Sequence, residues 1–325
     1  MASSIKNPQS CTDAESAIGG KALRREDAKL VTGQGQFTGD VSLEDALWVT
    51  FARSTVAKGK ISSISVEDAK EVPGIEAVFT GDDVAALGHL FVAPVLEQHA
   101  NPPFPVLAAS NVEAVGQPIA GIVSTSRAAG LDAAELIDIE IEEEEAVLFD
   151  GAASSDEAFG QTWRKGDVES AFAGAAHIAE VSIHHPRLAP SSLEPRSIAV
   201  KYDAASEQLT VWLSTQTPHR ARTELAKITG IAPDAIHVIA PDVGGAFGLK
   251  ASLYPEEVFT VWAAHRLKRS LRWTASRSEE LLSATHGRGA RTTAKLALDA
   301  SGRFIGLKAE VKFPLGHWLS TSAGI

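Results

Sequence analysis

A chain of 325 residues, 44% hydrophobic and 22% charged, can bury a sizeable core and divide into about two domains, which excludes a disordered segment. Its formal charge of -11 comes without the clustered Lys and Arg that nucleic-acid phosphates or anionic membranes require. Cys11 is the sole cysteine, so no intrachain disulfide, C-x-x-C site or cysteine-ligated iron–sulfur cluster can be built from this chain alone.

Taken in order, residues 1–22 are polar and irregular and are expected to form a tail. Arg24-Arg25 is followed by Glu26, Asp27 and Lys29 instead of the apolar segment of a twin-arginine signal. No apolar run approaches the ~18 residues that span a bilayer. The expected compartment is the cytoplasm, although a chain exported on a partner's signal would look the same.

Residues 23–149 read as a compact α/β unit. Strands are predicted at Leu47 to Phe51, Ile61 to Ser65 and Ile75 to Phe79, with a short helical turn over Val66 to Val72 stopped by Pro73-Gly74. Four prolines between residues 88 and 105 mark a loop. Pro118 to Ser124 reads as a buried strand, and Ser126 to Leu136 as a helix presenting Ala129, Ala133, Ala134 and Leu136. Ile137, Ile139 and Ile141 then alternate with acids as a half-buried strand. The acids Glu142 to Glu145 point to different sides of such a strand, so they read as a solvated edge and not as a cation site.

Residues 150–165 have linker composition, and a second domain is expected over 166–325. Asp167 is placed to cap a short helix, and His177 to His185 reads as a strand. Its His184-His185 pair faces opposite sides, with no third residue spaced to complete a zinc site. Glu194 is expected to brace the loop it sits in. Farther on, Pro255 to Lys268 reads as a helix with Glu256 and Glu257 at its start and His265, Arg266 and Lys268 at its end, matching the helix dipole. Trp262 anchors its core or interface side. Arg291 to Leu298 and Arg303 to Val311 alternate around Asp299-Ala300-Ser301-Gly302 as a β-hairpin.

The stretch from Glu207 to Lys250 carries the chemistry. Leu209, Val211 and Leu213 alternate as a strand, Thr217-Pro218 gives an N-cap hydroxyl and a first-turn proline, and Ala221, Leu225 and Ile228 share one helical face ending at Gly230. A second strand, Ile236 to Ala240, runs into Val243-Gly244-Gly245-Ala246-Phe247-Gly248. Glycines around one phenylalanine let a backbone approach a polyoxygenated ligand closely and aim N–H groups at it. Taken alone, the same residues also describe a tight bend. Neither G-x-G-x-x-G nor the P-loop fits, because Gly244 and Gly245 are adjacent and Leu249 separates Gly248 from Lys250.

Q-T-P at Gln216 to Pro218 followed by D-V-G-G-A-F-G-L-K at Asp242 to Lys250 resembles the molybdenum-binding subunit of the molybdenum hydroxylases, the xanthine dehydrogenase and aldehyde oxidase family. So do Leu23 to Val41, Val112 to Ala120, Gly166 to Phe172 and Ser191 to Arg196. The resemblance implies an α/β (α+β) fold: a hammerhead-type domain followed by the first part of a molybdopterin-binding domain. It also implies that Gln216 hydrogen-bonds an oxo ligand of molybdenum, and that Gly244, Gly245, Ala246, Phe247 and Gly248 pack against the metal and pterin. No residue of this chain is expected to ligate the metal.

The family's reaction hydroxylates an aldehyde or N-heterocyclic carbon with oxygen from water and passes electrons through [2Fe-2S] clusters to FAD. The glutamate base belongs to a later part of the large subunit, so no catalytic residue is expected here. The implied cofactor is Mo-molybdopterin, as the cytosine dinucleotide. Implied partners are an iron–sulfur subunit and an FAD subunit; with the base missing from these residues, two readings stay open, a second molybdopterin-domain chain that completes the site, with this chain inactive alone, or a truncated copy of one longer chain. A different class stays open: a non-catalytic assembly or scaffold protein that keeps the fold and binds no metal.

Overall fold

The computed structural model describes residues 24–91, 104–146, 162–314, 316–318 and 320. The expected tail, Cys11, most of the proline-rich loop and residues 150–161 of the expected linker lie outside the described residues. Contacts divide the chain into a unit up to Gly35 and a unit from Gln36 onward. In the first, a short helix α1 (Asp27–Val31) is closed by the Thr32 hydroxyl, which donates to the Ala28 carbonyl.

Among the described residues the second unit holds three sheets. Its elements run β1 (Leu47–Arg53), β2 (Gly59–Ser65), α2 (Glu67–Lys70), β3 (Ile75–Thr80), β4 (Asn111–Val112), β5 (Pro118–Ser124), α3 (Arg127–Glu135) and β6 (Asp138–Glu143). There follow α4 (Val168–Ala173), β7 (His177–His185), β8 (Ser197–Asp203), β9 (Gln208–Leu213), α5 (Pro218–Thr229) and β10 (Ile236–Ile239). The last are α6 (Pro255–Leu267), β11 (Leu271–Thr274), α7 (Arg277–Ser283), β12 (Ala290–Leu298) and β13 (Phe304–Lys312). The predicted strands and helices all fall on these elements, with ends moved by a residue or two. Seven strands form one sheet in the order β10-β9-β8-β11-β1-β5-β3, and two smaller sheets run β13-β12-β7 and β4-β2-β6. The large sheet therefore joins strands from both sides of residue 150.

β5 reads as a continuous apolar run because both of its faces are covered. Ala120 and Ile122 pack with Ala69, Ala133 and Ile137 on the α3 side, while Val123 joins Val49 and Phe51 in the main core. Gly121, opposite Phe51 in the register, lets the Phe259 ring of α6 sit on the strand, since a Cβ there would come within 2.3 Å of it. Burying Ile119, Ile122 and Val123 contributes about 1.5–3 kcal/mol each.

On α3, Ser126 accepts the Ala129 N–H as a cap, and Gly130 and Ala133 face inward, whereas Leu136 is about half exposed. Glu142 to Glu145 are exposed, as expected of a solvated edge. α6 is buried nearly all round, including Glu256 and Glu257. Those two acids thus do more than complement the helix dipole. Trp262 is partly buried against Phe79 and Phe259.

β9, α5 and β10 form a strand–helix–strand crossover with β9 and β10 parallel and adjacent, Leu209 opposite Ile236 and Trp212 opposite Ile239. Parallel pairing puts the carboxyl ends of both strands at the same end of the sheet, where open α/β sheets bind ligands. The chain after β9 reaches Gln216. The chain after β10 reaches the glycine loop.

Candidate functional site

Three segments meet at that end of the sheet: residues 192–196, 214–217 and 242–251. Gln216 is exposed; its backbone N–H donates to the Lys250 carbonyl at 3.0 Å, and its side-chain Oε1 accepts the Gly248 N–H at 3.1 Å. With the carbonyl end of the amide satisfied, the NH2 end is what remains to donate outward. Thr217 begins α5 but does not cap it with its side chain. Its hydroxyl donates to the Ala251 carbonyl at 3.0 Å, and the Thr215 hydroxyl to the Lys250 carbonyl at 3.2 Å. The expected N-cap oxygen is spent tying the loop to the strand end. Pro218 at the first helical position and left-handed Gly230 after the last hold as read.

The glycine loop divides into two halves. Gly244 and Gly245 are required from behind: a Cβ on Gly244 would lie 2.5 Å from the Glu194 Cβ, and one on Gly245 would lie 3.2 Å from the Ser192 Cβ. Gly248, with φ of 90°, opens on the other side, where a Cβ would meet nothing within 4 Å. Between them Phe247 holds φ of 52°, a left-handed conformation costly for a bulky residue, and 75% of it is exposed. Ala246 accepts the Leu249 N–H, and Gly248 accepts that of Ala251, which turns the chain back into the protein.

Glu194 braces this loop. Its N–H donates to the Gly244 carbonyl at 3.2 Å, and its Oε2 accepts from Gly244 N–H at 2.8 Å, Ser214 Oγ at 2.7 Å and Lys250 Nζ at 3.1 Å. Lys250 Nζ also donates to the Glu194 carbonyl at 2.7 Å. Burial pulls the Lys250 ammonium below the ordinary lysine range, and the Glu194 carboxylate opposes that pull. At its other end the loop is anchored by Asp242, which exchanges two hydrogen bonds with the Gln36 backbone, both 2.9 Å. The Gln36 to Val41 part of the Leu23 to Val41 motif thus reaches the start of the loop.

Two residues on, Arg196 points into the core. Its guanidinium bonds Glu280 at 2.9 Å, Glu256 at 3.1 Å and Ser283 at 2.6 Å, and lies 4.1 Å from the centre of the Tyr254 ring. Glu256 also accepts from Arg53 at 2.7 Å. Burial pulls the Arg196 guanidinium down, but Glu256, Tyr254 and Glu280 outweigh it and hold it above its ordinary range. Glu257, which accepts the Tyr254 N–H, is pushed up to about 8 by burial despite Arg196 nearby. Sequence reasoning missed this network; the signal available was two arginines, Arg53 and Arg196, and the acids Glu256, Glu257 and Glu280, spread over segments far apart in the chain.

His184 and His185 are exposed on β7, and among the described residues no group of three or more His, Cys, Asp or Glu side chains could hold a metal ion. No helix among them is long and apolar enough to cross a membrane.

Residues 32–145 match the aldehyde oxidase and xanthine dehydrogenase a/b hammerhead domain, and residues 150–325 the molybdopterin cofactor-binding domain. The large subunit of nicotine 6-hydroxylase from Paenarthrobacter nicotinovorans is 32% identical over 90% of this chain and 37% of its own length. The carbon monoxide dehydrogenase large chain of Afipia carboxidovorans is 31% identical over 94% of this chain and 40% of its own. Among solved structures, quinoline 2-oxidoreductase from Pseudomonas putida 86 superposes with a TM-score of 0.82 at 35% identity, over 90% of this chain and 39% of that one. The chain thus spans about two-fifths of the length of these relatives, in their N-terminal part. It belongs to the molybdenum hydroxylase family of xanthine dehydrogenase and aldehyde oxidase, with a hammerhead domain followed by molybdopterin-binding sequence.

Proposed function

We propose that this chain binds the molybdenum–pterin cofactor of a multi-subunit oxidoreductase that hydroxylates an aldehyde or N-heterocyclic carbon with oxygen from water, and that a second chain completes the site. The observation that carries the proposal is the joint placement of Gln216 and the loop from Gly244 to Gly248 at the carboxyl ends of two parallel strands. The donor set fits such a group. It offers a neutral amide and backbone N–H groups beside open space at Gly248, and a metal arriving there would bring its own organic ligand. When bound, the cofactor supplies oxygen transfer and the acceptance of two electrons. The chain's own residues position it: Gln216 donates from its amide without adding a charge, and the strained, exposed Phe247 turns the backbone toward the open side.

Relatives named for nicotine and quinoline favour the N-heterocyclic half of the substrate range. The cytosine dinucleotide form of the pterin, an iron–sulfur subunit and an FAD subunit belong to the same proposal, as does a functional boundary between residues 23–149 and 166–325. A second chain is favoured by the exposed apolar face of the sheet β13-β12-β7. The test is metal and pterin analysis of the native complex with identification of every co-purifying chain, together with Gln216→Ala. That variant is expected to cost about 2.7–4 kcal/mol in turnover, a hundredfold to a thousandfold, at normal metal content. A fully active complex without molybdenum overturns the proposal.

A further inference from the structure

We propose that Glu194 and Lys250 form a buried clasp that fixes the glycine loop against the segment bearing Gln216, which makes both of them positioning residues for the cofactor. The inference rests on the function proposed above for its chemical meaning, but the clasp is read from contacts alone. One carboxylate oxygen of Glu194 gathers donors from three separate segments: Ser214 at the end of β9, Gly244 at the start of the loop and Lys250 just past its end. Lys250 closes the ring. Its side chain is fully buried and reaches Glu194 twice, while its backbone carbonyl takes the Gln216 N–H and the Thr215 hydroxyl. The loop is thereby held at both ends by one ion pair, and Gln216 is tied to the same lysine through the main chain.

A charged pair is an expensive way to fill this space. Burying an ammonium costs more than burying a methylene chain of similar volume, and a neutral acceptor would satisfy the Gly244 N–H. The charge adds strength and direction, because N–H and O–H donors bind a carboxylate about twice as strongly as a neutral oxygen. Close approach is built in as well: Gly244 has no room for a Cβ against Glu194. The Oε1 atom of Glu194 is buried with no hydrogen-bond partner, so every contact made by the carboxylate group runs through Oε2 and converges on the loop. The Gly248 N–H does not touch Glu194. It is bonded to Gln216, and it therefore reports whether the clasp transmits order across the loop.

The experiment compares wild type, Glu194→Gln and the charge-neutral double variant Glu194→Gln with Lys250→Met, each as the full chain in its native complex. Two readouts are taken: residue-resolved hydrogen exchange at Gly244 and Gly248, and molybdenum and pterin per complex. Glu194→Gln is expected to speed exchange at Gly248 by about tenfold or more, the loss of one hydrogen bond to a charged group, and to lower cofactor content in parallel. The double variant leaves no unpaired charge and so guards against simple unfolding. It is expected to melt near wild type and still to exchange faster at Gly248. If it matches wild type in exchange and cofactor content, the pair merely fills space and the clasp is overturned. If the wild-type complex holds no molybdenum or pterin, the proposed function fails, and the exchange comparison still decides the clasp.

Discussion

The β1-β5-β3 part of the seven-stranded sheet is covered on both faces, by α3 on the side of Thr50 and Ser124 and by α6 on the side of Phe51 and Gly121, and the charges beneath are paired. Among the described residues the sheet β13-β12-β7 is covered on one face only. There α4 lies over Gly306, with Phe172 against Lys308. Register places Leu307, Ala309 and Val311 opposite Leu296, Ala294 and Thr292, and these opposite Ala179, Val181 and Ile183. On that second face Leu307 is 61% exposed, Val311 53%, Val181 48% and Ile183 41%. The contrast teaches that the core beneath the large sheet is closed by described residues, while the second face of the smaller sheet is not.

The closed half breaks most sharply at Arg196. Replacing it with Met removes the cation from between Glu256 and Glu280, and leaving a buried carboxylate unpaired costs about 3–5 kcal/mol. Denaturant unfolding of the complex should show that loss; a change below about 1 kcal/mol would mean the network is dispensable.

Glu257 sharpens the same half through pH. Its carboxyl is held protonated up to about 8 in the fold, against 4.5 ordinarily. Between those values the unfolded chain releases a proton that the folded chain keeps, so stability falls as pH rises. Glu256 runs the other way: burial pushes it up, but Arg196 and Arg53 outweigh that and lower it, so its contribution is lost only in acid. Glu257→Gln keeps an acceptor for the Tyr254 N–H and should flatten the decline in melting temperature between pH 5 and pH 8. An unchanged slope would assign it to other groups.

At the loop, Gly245→Val places a branched residue at φ of 101°, against Ser192, and should cost about 1–3 kcal/mol and lower cofactor content. Phe247→Leu should be milder. Phe247→Gly should stabilise the chain by about 1 kcal/mol, because it releases the left-handed strain and gives up a side chain that is three-quarters exposed. A destabilised Phe247→Gly would show that the ring packs where its exposure says it does not.

How far the sequence led depends on the range of the contact concerned. Period-2 alternation and local stop signals placed the strands, α5 and the β12–β13 hairpin, since those depend on neighbours in the chain. Gln216 and the glycine loop were marked by motif, and the parallel pairing of β9 with β10 explains why they meet. Glu194 was read as a brace, which its bonds to Gly244, Ser214 and Lys250 bear out, but its partners were not legible. Thr217 looked like a cap and turned into a tie to Ala251, and Glu256 and Glu257 looked like a polar first turn because that position favours acids anyway. Gly244 and Gly245 suggested a ligand, and the close approach of Glu194 and Ser192 is a second reason for them that the sequence did not show. Each of these partners lies tens of residues away, and no pattern within one segment encodes it.

The open sheet face gives the change of smallest effect on the chain itself. Leu307 and Val311 contribute little to the fold at their exposure, so Leu307→Lys with Val311→Lys should alter stability by no more than about 0.5 kcal/mol. If a second molybdopterin-domain chain covers this face, two lysine ammonium groups set into an apolar contact must be desolvated without partners, and association should fail. The outer face of β7 supplies no compensating acid, because Ala179, Val181 and Ile183 line it and Glu180 belongs to the α4 side with Lys295 and Lys308. Co-purification from cells expressing the whole complex is the measurement. Wild type should bring the second chain with it, and the double lysine variant should emerge folded and alone. A double variant that still assembles would place the interface elsewhere, and the exposed face of this sheet would then need a different occupant.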